Sequence, residues 1–211
     1  MNEAEAQRKD LERLVVLVDA ALAITLTLLM LDIRLPVEAT NLDDGALAAK
    51  LLGIWPRFFA YALSFIVIGR FWVSHRQKLH HIARSDGVFT WLNILFLLTL
   101  GLIPFVTSLL AENPGKLSTM AYAGVMGLVS AMLTLMWWYA TARGLTAPDL
   151  APEIRRDTRF LSTMSTLVFF VSAGIAWFNA DAAKYFWLAL LIVPLSRRVR
   201  GKGRPEEEGE G

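Results

Sequence analysis

The residues able to do chemistry in this chain begin in one stretch, 13–36, RLVVLVDAALAITLTLLMLDIRLP. From Leu14 to Leu31 it is apolar except for Asp19 and two threonines, Thr25 and Thr27. At ~1.5 Å per residue, such a run crosses a hydrocarbon core of about 30 Å as a helix. A carboxylate inside it is costly against lipid, so Asp19 has to face protein or water. A second pattern runs beside it. At ~100° per residue, Ala20, Ile24, Thr27, Leu28 and Leu31 fall on one side of the helix, at i, i+3, i+4, i+7 spacing. Asp19 lies about a quarter turn to the side. The stripe can therefore face one surface while Asp19 bonds to a neighbouring helix. The small residues Ala20, Ala21 and Ala23 favour close helix approach. Taken alone, the stripe reads as ordinary packing.

The scaffold that holds these residues shows in the composition. The chain has 211 residues, 55% hydrophobic and 19% charged, with mean hydropathy +0.46. That balance excludes an ordinary soluble domain and fits an integral membrane protein in a lipid bilayer. The formal net charge of +2 points to no nucleic-acid partner. With no cysteine, disulfides, thiolate metal sites and cysteine nucleophiles are excluded. Further apolar segments follow at 54–74, 88–111, 117–142, 160–178 and 182–196. The last has a short apolar core, Tyr185 to Leu195. The expected fold is an all-α membrane protein with six transmembrane helices. Residues 1–12 read as a cytoplasmic N-terminus, 13–199 as the membrane domain and 200–211 as a disordered cytoplasmic tail. The first apolar run is full length and continues into DIRLP, which reads as a retained span rather than a cleaved signal.

Lysine and arginine set the orientation. Arg8, Lys9 and Arg13 precede the first span, and Arg76, Lys78 and Arg84 follow the second. Arg143, Arg155, Arg156 and Arg159 follow the fourth, and the tail carries Arg197, Arg198, Arg200, Lys202 and Arg204. The alternate loops hold fewer: Arg34, Lys50 and Arg57, then Lys116, then Lys184. With six spans, both termini fall on the cytoplasmic side of the cell membrane. The first outer loop is acidic, with Asp32, Glu38, Asp43 and Asp44, and reads either as a cation-attracting mouth or as a solvated loop.

His75, His80 and His81 sit in a basic segment at a membrane end, with Asp86 the nearest carboxylate in sequence, so no metal site is expected. Asn93 reads as an interhelical hydrogen bond. No nucleophile elbow, HExxH, phosphate loop or paired midplane carboxylates occur, so neither an enzyme nor a cofactor is expected. The TVGYG filter of ordinary potassium channels is absent too. No internal repeat is visible, because DAALAIT occurs once.

The first helix resembles that of the transmembrane protein 175 family, which comprises lysosomal potassium channels and shorter prokaryotic homologues. The family hallmark is Arg-x-x-x-Phe-Ser-Asp. Here it reads Arg13-Leu-Val-Val-Leu17-Val18-Asp19, with Leu17 replacing Phe and Val18 replacing Ser, followed by AxxAIxxTLLxLDIRLP. The resemblance continues within residues 61–111 in FWVSHRQKLHHIARSDGVFTWLNILFLLTLGLIPFVTSLL and thins after about residue 115. It implies a homotetramer with the first helix of each subunit lining a central pore. Rings of Ile24, Leu28 and Leu31 would gate by dewetting, and Thr27, three residues after Ile24, would take the selectivity position. Trp72 and His75 match the Trp-x-x-His of the family's second helix. They are expected to form a structural network with Asp19 and Arg13. The implied permeants are potassium and other monovalent cations.

Two alternatives come from other classes. A secondary, cation- or proton-coupled transporter needs ionisable groups near the midplane, whereas Asp19 and Asp32 lie toward the ends of the first span. A structural or assembly protein would conduct nothing. The charge pattern predicts that a periplasm-dependent phosphatase fused after Arg204 is inactive while a cytoplasm-dependent fluorescent reporter is active. The reverse pattern overturns the topology.

Overall fold

The apolar runs close as helices because, in lipid, every backbone N–H and C=O has to be paired within its own segment. The computed structural model describes residues 3–31, 33–34, 42–184 and 187. Its helices are α1 (Glu3–Leu31), α2 (Asp44–Gly53), α3 (Trp55–His80), α4 (Gly87–Gly101), α5 (Ile103–Glu112), α6 (Lys116–Ala142) and α7 (Pro152–Phe178). Five segments among the described residues are long and apolar enough to span a membrane: Gln7–Leu31, Trp55–His80, Gly87–Glu112, Lys116–Ala142 and Pro152–Phe178. The protein is thus all-α, as expected. Residues 180–184 begin a further helix, but most of the expected sixth span, 182–196, lies outside the described residues, as does the tail 200–211.

Element boundaries differ from the apolar runs for local reasons. The polar N-terminal residues form the first turns of α1 rather than an irregular segment, with Arg8 Nε bonded to Glu12 at 3.2 Å across one turn. The acidic loop after α1 contains α2, started by Asp43, whose carboxylate accepts from Ala46 N–H at 2.7 Å. Pro56 sits in the first turn of α3, where its missing N–H costs nothing, so Ile54 ends one helix and starts the next. The third span is broken at Leu102. Pro104 cannot donate to the carbonyl four residues earlier, and its ring crowds that carbonyl, so α4 stops at Gly101 and α5 restarts. The second span runs on to His80, which places Arg76 and Lys78 on α3 rather than in the loop that follows it.

α6 is the hub. It packs on α3, α4, α5 and most extensively on α7, whereas α1 packs on α3, α4 and α5. The core holds Phe89, Phe96, Tyr122, Met126 and Trp137, all essentially inaccessible. Polar side chains stitch the helices where hydrophobicity gives no preference between protein and lipid. Ser64 of α3 bonds Thr107 of α5 at 2.8 Å and Tyr122 of α6 at 3.1 Å. Thr166 of α7 meets Ser130 and Thr134 of α6 at 3.0 Å each. Trp187 donates to Ser172 of α7 at 2.8 Å and lies 4.8 Å from the Tyr122 ring.

One membrane end is tied across loops. Gly144, at φ 64°, takes the left-handed position past the end of α6, and Leu145 N–H closes on Ala140 O at 2.9 Å. Ala83 N–H then bonds Leu145 O and Ala147 N–H bonds His81 O, both at 2.9 Å. The two basic loops, after α3 and after α6, therefore share one end of the molecule.

α6 meets α7 tightly at Gly127, where an added Cβ would sit 3.1 Å from the Phe170 ring. Phe170 is exposed and can swing toward lipid. Gly127→Ala is therefore expected to be tolerated, and Gly127→Leu to lower the thermal midpoint in detergent by about 1–3 kcal/mol equivalent of overpacking. Gly124→Ala, with open space at its Cβ, serves as the control.

Candidate functional site

α1 has two unlike faces. Val18, Leu22, Thr25 and Leu29 are buried against the bundle, Leu22 at 2% and Leu29 at 1% exposure. The other face is bare in the single chain: Ile24 is 59% exposed, Leu28 44% and Leu31 61%, with Ala20 and Thr27 also exposed. The whole stripe singled out by periodicity thus points away from its own bundle. Leu22 and Leu29, off the stripe, are core residues. Shortening either leaves a cavity, so neither is a tolerant site.

Both threonines of α1 return their hydroxyls to the helix backbone. Thr25 donates to Ala21 O at 2.8 Å from within the protein. Thr27 donates to Ile24 O at 2.8 Å on the exposed face. With its hydrogen committed to the backbone, Thr27 Oγ1 presents only lone pairs outward.

Asp19 is answered by α3. Trp72 Nε1 donates to Asp19 Oδ1 at 2.8 Å, and the Arg76 guanidinium lies over the Trp72 ring at 5.7 Å. His75 does not join them. It is buried, and its Nε2 meets Asn93 Oδ1 of α4 at 3.2 Å, while its ring stacks on Phe96 at 5.1 Å and 3°. Asn93 Nδ2 donates to Phe89 O at 2.8 Å, which leaves its oxygen as acceptor and makes His75 Nε2 the donor. Three residues along a helix is a turn of ~300°, so Trp72 and His75 diverge by ~60° and reach different helices. Arg13 is exposed and six residues before Asp19, about 240° round α1. Val18, in place of the hallmark serine, is fully buried and fills its site with hydrocarbon.

Sequence reasoning left three features unassigned. Lys78 is buried on α3 with Nζ donating to Ser74 Oγ at 3.0 Å. Asp86 caps α4 through Phe89 N–H at 2.8 Å and accepts the Tyr139 hydroxyl at 2.7 Å. An Asp placed just before an apolar helical run is the signal for that cap. The Ser64–Thr107–Tyr122 contact joins three distant segments and leaves no local signal. Among the described residues no three of His, Asp or Glu converge as a metal would need. His80 and His81 face each other edge to face at 5.4 Å.

Apolar spans packed around α6, with α1 fixed by one face and bare on the other, define a multi-pass α-helical membrane protein. The family described as "Endosomal/lysosomal potassium channel TMEM175" matches residues 13–104. A Streptomyces collinus protein named a potassium channel is 32% identical over 168 residues, covering 77% of this chain and 80% of its own. A Chamaesiphon minutus protein, also named a potassium channel, is 30% identical over 170 residues, covering 76% and 83%. The human protein named endosomal/lysosomal proton channel TMEM175 is 30% identical over 152 residues, 68% of this chain but 30% of that one. The crystal structure of a lysosomal potassium-selective channel TMEM175 homolog from Chamaesiphon minutus shares the fold, with TM-score 0.76, 24% identity, and coverage of 90% of this chain and 98% of that one. The chain belongs to the TMEM175 family, a family of ion channels and not of enzymes.

The Asp19–Trp72 bond predicts a non-additive pair. Trp72→Phe keeps the ring and removes the donor, so it should lower the thermal midpoint in detergent by a few degrees. In an Asp19→Ala background the same change should cost nothing further. Additive losses would show that the indole serves another partner.

Proposed function

We propose that the protein is a potassium-permeable cation channel of the cell membrane, in which four copies set their α1 helices around a central pore. In this reading Ile24, Leu28 and Leu31 form stacked apolar rings that close by dewetting, and Thr27 supplies a ring of oxygens to a partly dehydrated cation. Both termini face the cytoplasm, as the lysine and arginine distribution favours. The relatives named potassium channels support the ion. The observation that carries the reading is the bare face of α1. Its apolar side chains and an acceptor-only Thr27 hydroxyl are turned away from the protein's own core. A cation needs oxygen lone pairs and no competing donor, which is what this hydroxyl offers. Potassium loses its water more readily than sodium, so weak neutral oxygens favour potassium.

Passive flux of potassium in liposomes made with the purified chain tests this directly; a coupled carrier would show exchange against a second ion instead. Ile24→Asn puts a polar ring at the narrowest apolar level and should raise basal flux several-fold. Thr27→Val keeps the side-chain shape and removes the oxygen, so the potassium-to-sodium permeability ratio should fall toward one while conduction persists. Leu167→Ala, on the exposed face of α7, should change neither. Unchanged flux in Ile24→Asn together with an unchanged ratio in Thr27→Val would remove α1 from the pathway.

A further inference from the structure

Among the described residues, the apolar runs enclose three charged side chains: Asp19 of α1, and Arg57 and Arg70 of α3. Arg57 lies in the first turn of α3, and its Nη1 donates to Arg34 O at 3.0 Å. Arg70 has no such answer. It is exposed, and among the described residues no hydrogen bond or ion pair holds its guanidinium. A guanidinium turned to hydrocarbon is costly, so an arginine at this depth faces an anion, a carbonyl or water. Snorkelling to a headgroup is the usual escape near a helix end. Arg70 lies ~15 Å from the end of α3 at His80 and ~22 Å from its start at Trp55. Its Cα–Cβ bond tilts toward Trp55, the farther end.

Asp19 has the complementary charge and a free oxygen. Trp72 Nε1 takes Oδ1, the residue stays exposed, and Oδ2 accepts no bond among the described residues. The depth matches as well. The indole bond sets Asp19 level with Trp72, and Arg70 is two residues, ~3 Å, from that level along α3. Within one chain the two do not meet. Phe71, between Arg70 and Trp72, is buried in the bundle, and the residues on either side of it are ~200° apart around α3. Trp72 faces α1 of its own chain, so Arg70 leaves α3 on the opposite flank.

We propose that the flank of α3 carrying Arg70 is an interface with a second copy of this chain, and that Arg70 pairs there with the partner subunit's Asp19. Copies related by an axis along the membrane normal keep each residue at its own depth, so the partner subunit's Asp19 lies at the level of Arg70. Asp19 is the single carboxylate inside the described apolar runs, which makes it the protein anion available at that level. The guanidinium fork takes Oδ2 while Trp72 keeps Oδ1. The contact rests on the reading of four α1 helices around one axis, and it gives that assembly a charged junction between subunits. It uses none of Ile24, Thr27, Leu28 or Leu31.

Native mass spectrometry of the purified full-length protein in detergent reads the assembly. The wild type should be a tetramer. Arg70→Leu should raise the protein concentration at which that tetramer dissociates by about tenfold or more, since a charge-assisted contact is lost at each junction. Helical content should not change, because Arg70 bonds nothing in its own chain. Arg70→Lys keeps a cation and should recover most of the loss. Asp19→Asn keeps an acceptor for Trp72 and removes the charge, so it should weaken assembly too, and adding Arg70→Leu should weaken it no further. The chain has no cysteine, so a short bismaleimide applied to co-expressed Asp19→Cys and Arg70→Cys chains should join two different subunits into a covalent dimer. A tetramer as stable in Arg70→Leu as in the wild type overturns the contact and leaves the pore reading standing. So does an intact tetramer without the cross-link between positions 19 and 70. Loss of co-purified phospholipid from an unweakened Arg70→Leu tetramer also overturns it, by assigning the guanidinium to a headgroup. A monomeric wild type overturns both readings.

Discussion

A helix that carries a carboxylate through lipid must have that carboxylate answered by another helix, and here the answer is one 2.8 Å bond from the Trp72 indole to Asp19. The bond fixes α1 against α3 at one rotation about its own axis. Val18, Leu22, Thr25 and Leu29 bury on the inner side of that rotation, and Ile24, Thr27, Leu28 and Leu31 are left bare. In a bilayer, apolar contact alone does not choose between lipid and protein, so a polar contact of defined direction is what selects the rotation. The two unlike faces of α1 follow from that choice.

The rest of the bundle holds α3 and α4 so that this contact keeps its place. His75 leaves α3 toward Asn93 and Phe96 of α4. Ser64, Thr107 and Tyr122 tie α3 to α5 and α6, and the Thr166 contacts tie α6 to α7. Each joins polar side chains from different helices, and Asn93, Thr107 and Thr166 also bond to backbone carbonyls of their own helices. The basic loops are joined by backbone bonds at one end. α7 packs most extensively on α6, and Ile24, Thr27, Leu28 and Leu31 of α1 stay exposed.

Much of this is legible in the sequence. Apolar runs of the right length mark the spans, because lipid imposes one secondary structure on them. The α1 stripe is legible because its spacing is helical over three turns. What sequence could not supply is rotation. Leu22 and Leu29 are as apolar as Ile24 and Leu28, and only the bundle decides which pair is core. Of the three partners open to Asp19, Trp72 alone makes the bond, since a ~60° divergence sends His75 to α4. The break at Leu102 follows from Pro104, whereas α2 is hidden in a loop whose charges mask a ten-residue helix. The resemblance to the family added a pore, a gate and a selectivity position that periodicity alone does not contain.

Because the natural sequence contains no cysteine, single cysteines along α1 can be read without background. The direct measurement is potassium flux during modification by a small charged thiol reagent, with cysteines placed one at a time from position 20 to position 31. If α1 lines the pathway by its bare face, modification at 24, 27, 28 and 31 changes flux, and 22, 25 and 29 are silent. Sensitivity at 22, 25 and 29 with silence at 24, 27, 28 and 31 would contradict the account, because the conducting path would then run through the face now buried in the core.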